Sequence, residues 1–124
     1  MYFSDGFVLR HITRKGLFML NLKKECKAEL TGHIIPFWNK LRDDENGGFY
    51  GFMNNDLEVD KKADKGVILN SRILWFYSSA YRVLGDEKLL DNARHAYEFL
   101  RDCCVDRENG GVYWMMTYDG KVSD

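Results

Sequence analysis

Apolar side chains recur every three or four positions between Leu22 and Leu41, which places them along one side of an α-helix. Asn21 precedes this pattern and is predicted to cap the helix. Pro36 lies within it and has no amide hydrogen, so we expect the helix to kink or divide near Ile35. The apolar stripe consists of Leu22, Cys26, Leu30, Ile34, Phe37, Trp38 and Leu41.

Two further helices and one short strand are predicted in the middle of the chain. Residues 66–84 are apolar on more than one face, as in a helix enclosed by its neighbours. Gly85 is predicted to end this helix, and Asp86 to cap a third one. The third helix carries the apolar stripe Leu89, Leu90, Ala93, Ala96, Tyr97 and Leu100. A Gly-Gly turn before the second helix predicts a strand from Phe49 to Met53.

The chain repeats itself at a fixed offset. Residues 43–50 read Asp-Asp-Glu-Asn-Gly-Gly-Phe-Tyr, and residues 106–113 read Asp-Arg-Glu-Asn-Gly-Gly-Val-Tyr. The same offset relates Met53 to Met116 and Asp56 to Asp119. It predicts a unit of helix, Gly-Gly turn, short β-ribbon and return helix. Return helices that are apolar all round predict an α/α toroid in which they form the inner ring.

Composition narrows the class of partner and the compartment. The chain has 18 basic and 19 acidic residues, so neither nucleic acid nor an anionic membrane is expected to attract it, and a small neutral partner fits better. The apolar run at residues 17–20 is too short for a signal peptide or a membrane span, and we expect a cytoplasmic protein. Cys26, Cys103 and Cys104 lack a zinc-binding spacing and are expected to be free thiols, with a vicinal Cys103–Cys104 disulfide as the alternative.

Five stretches carry a resemblance to a known family. Residues 30–38, 41–51, 60–75, 95–99 and 110–114 resemble the start of bacterial cellobiose 2-epimerases, which belong to the N-acylglucosamine 2-epimerase superfamily. The resemblance covers about residues 25–124. It implies a mainly α fold, an incomplete (α/α)6 barrel (α/α toroid) with about three helices and short β-ribbons. Residues 1–20 are expected to be an N-terminal extension outside the fold, and residues 21–124 the N-terminal part of the barrel, truncated.

Arg72 matches an active-site position of the family. Epimerisation beside a carbonyl needs a base, an acid and donors that stabilise the enediolate. The resemblance implies two histidines as the acid/base pair, both beyond this chain, and Arg72 as the residue that holds sugar oxygens. The alternative for Arg72 is a structural ion pair with a carboxylate, since an unpaired guanidinium is costly to bury in an apolar helix.

Other candidates are weaker. Trp75 lies one turn from Arg72 and is a candidate for stacking on a sugar ring, with simple core packing as the alternative. Asn70 is a substrate-binding candidate, although some family members carry histidine there. His33 and His95 match family positions that are not catalytic. Neither a metal nor a cofactor is expected, because no metal cluster or phosphate-binding loop is found in the sequence.

The sequence therefore predicts a fragment of a sugar isomerase. The implied reaction is reversible C2 epimerisation of cellobiose through a ring-opened enediolate, giving 4-O-β-D-glucosyl-D-mannose. We expect the isolated chain to be inactive and to self-associate through exposed apolar helix faces. The alternatives are a fragment of an N-acylglucosamine 2-epimerase or a mannose isomerase, or a non-catalytic helical-repeat segment that binds other polypeptides.

Overall fold

The computed structural model describes residues 21–123, and the chain divides into two compact units between Trp38 and Asn39. The predicted extension, residues 1–20, lies outside the described residues. The predicted boundary at residue 21 therefore stays a prediction.

The described part of the first unit is helical. Helix α1 (residues 21–29) passes into a π-helical turn, Leu30–Ile34, and then into α2, Ile35–Asn39. The Ile35 N–H donates to the Leu30 carbonyl, one residue further back than in an α-helix. The prediction that the helix kinks or divides near Ile35 is confirmed in part: a π-helical turn interrupts the α-helix just before Ile35, but the helical conformation continues past Pro36. Asn21 is already helical and is not the cap.

The first Gly-Gly turn opens the second unit. The Asp43 side chain accepts hydrogen bonds from the N–H groups of Glu45 (3.0 Å) and Asn46 (3.1 Å), and the Asp43 N–H donates to the Gly48 carbonyl (3.0 Å). Gly47 and Gly48 have φ angles of 79° and 68°, in the left-handed region that glycine enters without a Cβ penalty. Local hydrogen bonds thus close the turn.

The second unit contains two short antiparallel β-ribbons. Strand β1, Phe52–Met53, pairs antiparallel with β2, Val59–Asp60, and β3, Lys65–Gly66, pairs antiparallel with β4, Met115–Met116. Of the predicted strand from Phe49 to Met53, only Phe52 and Met53 form a strand. Phe49 makes an isolated antiparallel bridge with Arg42, and its N–H donates to the Asn70 side chain.

Helices α3, Val67–Leu84, and α4, Glu87–Phe99, pack against each other as the main helical pair of this unit. Both predicted ends are confirmed. Gly85 terminates α3 in the left-handed conformation, with φ 71°, and its N–H donates to the Tyr81 carbonyl. The Asp86 side chain accepts from the Lys88 N–H and caps α4.

The second Gly-Gly turn reproduces the first. After α4, a π-helical turn, Leu100–Cys104, leads into Asp106, whose side chain accepts from the N–H groups of Glu108 (2.9 Å) and Asn109 (3.0 Å). The Asp106 N–H donates to the Gly111 carbonyl at 3.1 Å, as that of Asp43 does to Gly48. The Gly-Gly turn of the repeat predicted from the sequence is therefore present twice in the structure.

A buried ion pair links the first turn to the β3–β4 ribbon. The Lys65 ammonium donates to Asp43 Oδ2 (2.6 Å) and to the carbonyls of Gly47 and Tyr118 (both 2.8 Å). Both side chains of the pair are 0% exposed. Around them lies an apolar core formed by Phe49, Val67, Ile73, Tyr77, Ala80, Leu89, Ala93, Ala96, Phe99, Cys104 and Met116.

The cysteines are reduced. Cys26, Cys103 and Cys104 are all free, so the vicinal disulfide does not form. Burial, with a smaller contribution from Cys103, raises the pKa of the Cys104 thiol to about 11. Between residues 21 and 123, no helix is long and apolar enough to cross a membrane.

The buried pair generates a stability prediction. Lys65→Met keeps the length and apolar stem of the side chain but leaves the Asp43 carboxylate buried without its cation. We expect the free energy of unfolding, measured by urea denaturation, to fall by about 3 kcal/mol. The matched control is Lys62→Met, an exposed lysine three positions earlier, which should change it by less than about 0.5 kcal/mol. Equal stability of the two variants would contradict the role given to Lys65.

Candidate functional site

Helix α3 positions two of the three candidate residues on one exposed face. Arg72 lies one turn after Ile68, and Trp75 lies one turn after Arg72, so the three side chains follow one another along the helix surface. All three are exposed. The opposite face of α3, which packs into the core, consists of Val67, Asn70, Ile73, Tyr77 and Ala80.

The Arg72 guanidinium has no partner among residues 21–123. Within residues 21–123, no carboxylate forms a salt bridge with its guanidinium, and no hydrogen bond to it is present. The structural ion pair considered from the sequence is thus not formed in the described part of the chain. A planar guanidinium offers five N–H donors in a fixed fork, which suits adjacent oxygens on one ligand.

Trp75 presents a large aromatic surface beside Arg72. Its side chain is 72% exposed, so it does not serve as core within the described chain. An exposed indole face can stack on the C–H face of a pyranose ring while its N–H donates a hydrogen bond. A guanidinium and an aromatic surface one helical turn apart form a minimal binding arrangement for a polyhydroxylated ligand.

Asn70 lies on the other side of the helix from Arg72. Its side chain is 0% exposed, and both ends of the amide bind backbone: Oδ1 accepts from the Phe49 N–H at 3.0 Å, and Nδ2 donates to the Gly66 carbonyl at 3.1 Å. The structure does not bring Asn70 together with Arg72 and Trp75. The predicted contact with substrate would require the amide to leave both partners.

The two described histidines already have partners. His33 is exposed, and its Nδ1 lies 2.8 Å from a carboxylate oxygen of Glu29. His95 Nε2 lies 3.1 Å from the Asp43 carbonyl and 2.9 Å from the Gly48 carbonyl. Carbonyl oxygens can only accept, so Nε2 must carry the proton in this arrangement.

The described residues carry few groups suited to proton transfer. Residues 21–123 contain no group of three or more His, Cys, Asp or Glu side chains that could hold a metal ion. Arginine stays protonated at neutral pH and is a donor and electrostatic stabiliser, not a base. The expected absence of a cofactor stays a prediction.

Sequence reasoning missed Lys65 and Asp43, the residues that fix the start of α3. Asp43 is charged in the fold: burial alone would raise its pKa, but hydrogen bonds from Lys65 and from the turn lower it below its ordinary value. One signal was available. A lysine directly before an apolar helix is in a poor position for a solvated side chain, because the helix that follows is buried.

Comparison with known proteins gives consistent matches. Residues 26–124 match the family model described as N-acylglucosamine 2-epimerase (GlcNAc 2-epimerase). The chain is 70% identical over 100 residues to a cellobiose 2-epimerase of Ruminococcus albus, covering 81% of this chain and 26% of that protein. It is 64% identical over 96 residues to a cellobiose 2-epimerase of Eubacterium cellulosolvens, covering 77% of this chain and 24% of that one.

Solved structures agree with these matches. The crystal structure of a sugar epimerase from a ruminal bacterium superposes with a TM-score of 0.80 at 69% identity, over 82% of this chain and 26% of that one. Cellobiose 2-epimerase from Bacillus thermoamylovorans superposes with a TM-score of 0.82 at 50% identity, over 84% of this chain and 27% of that one. The chain therefore spans about a quarter of the length of these relatives. The predicted fold class, a mainly α part of an (α/α)6 barrel, is confirmed.

The turn beneath Asn70 supports a second prediction. A Cβ added at Gly48 would lie 2.8 Å from two ring atoms of Phe99 and 2.9 Å from Asn70 Oδ1, whereas one at Gly111 would meet nothing within 4 Å. Both glycines have a positive φ, so Gly111→Ala controls for backbone strain alone. In thermal or urea unfolding, we expect Gly48→Ala to cost about 2 kcal/mol more than Gly111→Ala. Equal losses would show that the packing around Gly48 is not tight.

Proposed function

Because the chain belongs to the N-acylglucosamine 2-epimerase family, we propose that it supplies one wall of the substrate site of a sugar 2-epimerase that acts on cellobiose. The proposed reaction inverts C2 of the reducing-end glucose and yields 4-O-β-D-glucosyl-D-mannose. One observation carries the proposal: an exposed Arg72, unpaired within residues 21–123, lies beside an exposed Trp75 in a chain 70% identical to a cellobiose 2-epimerase.

Arg72 has the electrostatic role in this proposal. Removing the C2 proton of a ring-opened aldose delocalises negative charge onto the carbonyl oxygen of C1, which lies beside the C2 hydroxyl oxygen. A guanidinium fork can donate to both oxygens at once, and these bonds strengthen as the charge develops. Because Arg72 has no competing carboxylate within the described range, its charge is not already neutralised by the fold.

Trp75 and Asn70 have supporting roles. Trp75 would stack against a sugar ring and hold its carbon skeleton near Arg72. Asn70 would act indirectly, since its hydrogen bonds to Phe49 and Gly66 fix the first turn of α3 and thereby the direction in which the exposed face points. Its predicted direct contact with the substrate stays a prediction.

The choice of cellobiose follows from the relatives. Those with 45% to 70% identity are cellobiose 2-epimerases. The match to a D-mannose isomerase has 22% identity and supports the fold alone. A mannose isomerase or an N-acylglucosamine 2-epimerase remains the alternative within the family. A binding protein without catalysis is the alternative outside it, favoured by the exposed apolar side chains of α3.

The role of Arg72 can be tested in a chimera that joins residues 21–124 to the remaining part of the Ruminococcus albus relative. We expect the chimera to epimerise cellobiose, and Arg72→Leu to lower kcat about a hundredfold, on the order of 3 kcal/mol, with the fold retained. Arg82→Leu, on the last turn of the same helix, is the matched control and should leave kcat unchanged. An Arg72→Leu chimera with full kcat would reduce Arg72 to a surface residue.

The isolated chain is expected to be inactive. Arg72 cannot remove a proton, His95 Nε2 is held by two carbonyls, and His33 is paired with Glu29. Incubation of the 124-residue chain with cellobiose in deuterated water should give no exchange at C2 above a buffer control when followed by NMR. Exchange that disappears in a His33→Ala or His95→Ala variant would show instead that the chain contains its own base.

A further inference from the structure

Each Gly-Gly turn contains an Asn-Gly dipeptide, at Asn46–Gly47 and at Asn109–Gly110. Asparagine is thermolabile, and it reacts most readily before glycine, because glycine has no side chain that shields its backbone nitrogen. In this reaction the glycine nitrogen loses its proton and forms a bond to Cγ of the asparagine. The Cγ–Nδ2 bond breaks, and Nδ2 leaves as ammonia with that proton. Water then opens the resulting succinimide ring to aspartate or isoaspartate.

The attacking nitrogen is held by a hydrogen bond in both turns. The Gly47 N–H donates to the Asp43 backbone carbonyl, and the Gly110 N–H donates to that of Asp106, both at 3.1 Å. This bond must break before the nitrogen can lose its proton and turn toward Cγ. The backbone of the aspartate therefore opposes the first step.

The side chain of the same aspartate holds the amide that would be attacked. Asn46 Nδ2 donates to Asp43 Oδ2 at 3.3 Å, and Asn109 Nδ2 donates to Asp106 Oδ2 at 3.1 Å. The backbone N–H of each asparagine donates to Oδ1 of that carboxylate, at 3.1 Å and 3.0 Å. Each asparagine is thus fixed at both its amide and its backbone, and its Cγ cannot turn toward the glycine nitrogen while these bonds last.

The charge of the carboxylate opposes the reaction as well. Hydrogen bonds from the Asn109 N–H, the Asn109 side chain and the Glu108 N–H lower the pKa of Asp106 below its ordinary value, so this carboxyl is ionised at neutral pH. The reaction builds negative charge on the glycine nitrogen and then on Oδ1 of the asparagine, and a neighbouring anion disfavours both. The carboxylate is not placed to take the proton itself, because the Gly110 N–H donates to the backbone carbonyl of Asp106.

The product of the reaction would not fit either turn. Aspartate at position 46 would replace a donor with a second carboxylate against Asp43 Oδ2, the oxygen that also binds Lys65. Isoaspartate would add a methylene group to the main chain between the two residues of each cross-turn hydrogen bond. The modification would therefore prevent an opened turn from closing again.

We propose that Asn46 and Asn109 are latent deamidation sites, and that the aspartate three residues before each of them suppresses the reaction by holding both the attacking nitrogen and the amide. The reaction starts only when a turn opens locally. Its one co-reactant is water. The proposal concerns the chemical lifetime of the fold and is independent of the proposed epimerase function.

The test measures deamidation at each asparagine of the folded 124-residue chain during incubation in mildly alkaline buffer. Tryptic peptides 43–61 and 108–121 carry one turn each, and fragment mass spectra identify the asparagine that has gained the mass of an acid. Synthetic peptides of residues 42–51 and 105–114 give the rates without the fold. We expect Asn46 and Asn109 to react at least about tenfold more slowly in the chain than in the peptides, because the rate follows the population of the opened turn.

A conservative variant separates the aspartate from the rest of the fold. Asp106→Asn keeps an oxygen that accepts from the N–H groups of Glu108 and Asn109, but it removes the charge and the second oxygen that holds Asn109 Nδ2. We expect deamidation of Asn109 to become at least about fivefold faster while Asn46 keeps its rate, which serves as an internal control for the fold. Asp56→Asn, at an exposed aspartate, changes the net charge equally and should leave both rates unchanged.

Three results would overturn the proposal. The first is deamidation of Asn46 and Asn109 in the folded chain at the rates of the synthetic peptides. The second is an Asp106→Asn variant in which Asn109 keeps its original rate. The third is equal acceleration of Asn46 and Asn109 in that variant, which a general loss of the fold would produce and the release of one amide would not.

Discussion

The second unit depends on one buried ammonium. Taking both Lys65 and Asp43 out of water is costly, and this cost is offset only when every acceptor is in place. The acceptors belong to the first Gly-Gly turn and to Tyr118, more than fifty residues along the chain from Lys65. The turn, β3 and the end of the β4 ribbon must therefore come together at one point. The Lys65–Asp43 ion pair therefore fixes how the turn and the β3–β4 ribbon are placed relative to each other.

The position of Lys65 also decides which way α3 faces. The helix begins two residues later at Val67, so the 3.6-residue period places Asn70 toward the turn and Arg72 on the outer surface. Asn70 then secures this orientation by binding Phe49 and Gly66. The exposed Arg72 and Trp75 are consequently oriented by contacts made entirely on the opposite side of the helix.

Features with local causes were predictable from the sequence. The ends of α3 and α4 follow from Gly85 and Asp86, and the repeat follows from identical turn residues. The π-turn before Pro36 was missed, because helical periodicity does not distinguish a wider turn from a break. The pairing of Lys65 with Asp43 was missed because only the fold brings these residues together. Asn70 is a substrate-binding candidate only through the resemblance, and the sequence does not show that both ends of its amide bind backbone groups.

The Gly-Gly turn is closed by its own hydrogen bonds, and this bears on how a repeat protein can evolve. Both copies of the Gly-Gly turn are shaped by the same hydrogen bonds of aspartate, asparagine and backbone groups. Among the described residues, Lys65 binds only the first copy. The hydrogen bonds of the turn are therefore the same with and without a lysine on its aspartate among the described residues. The polypeptide encoded by a duplicated gene segment could form this turn at once and acquire side chains that pack against it afterwards. Residues such as Phe49 and Val112 could meanwhile diverge without altering the backbone. In a protein built by tandem duplication, the turn can thus be kept while the contacts between the copies change more slowly.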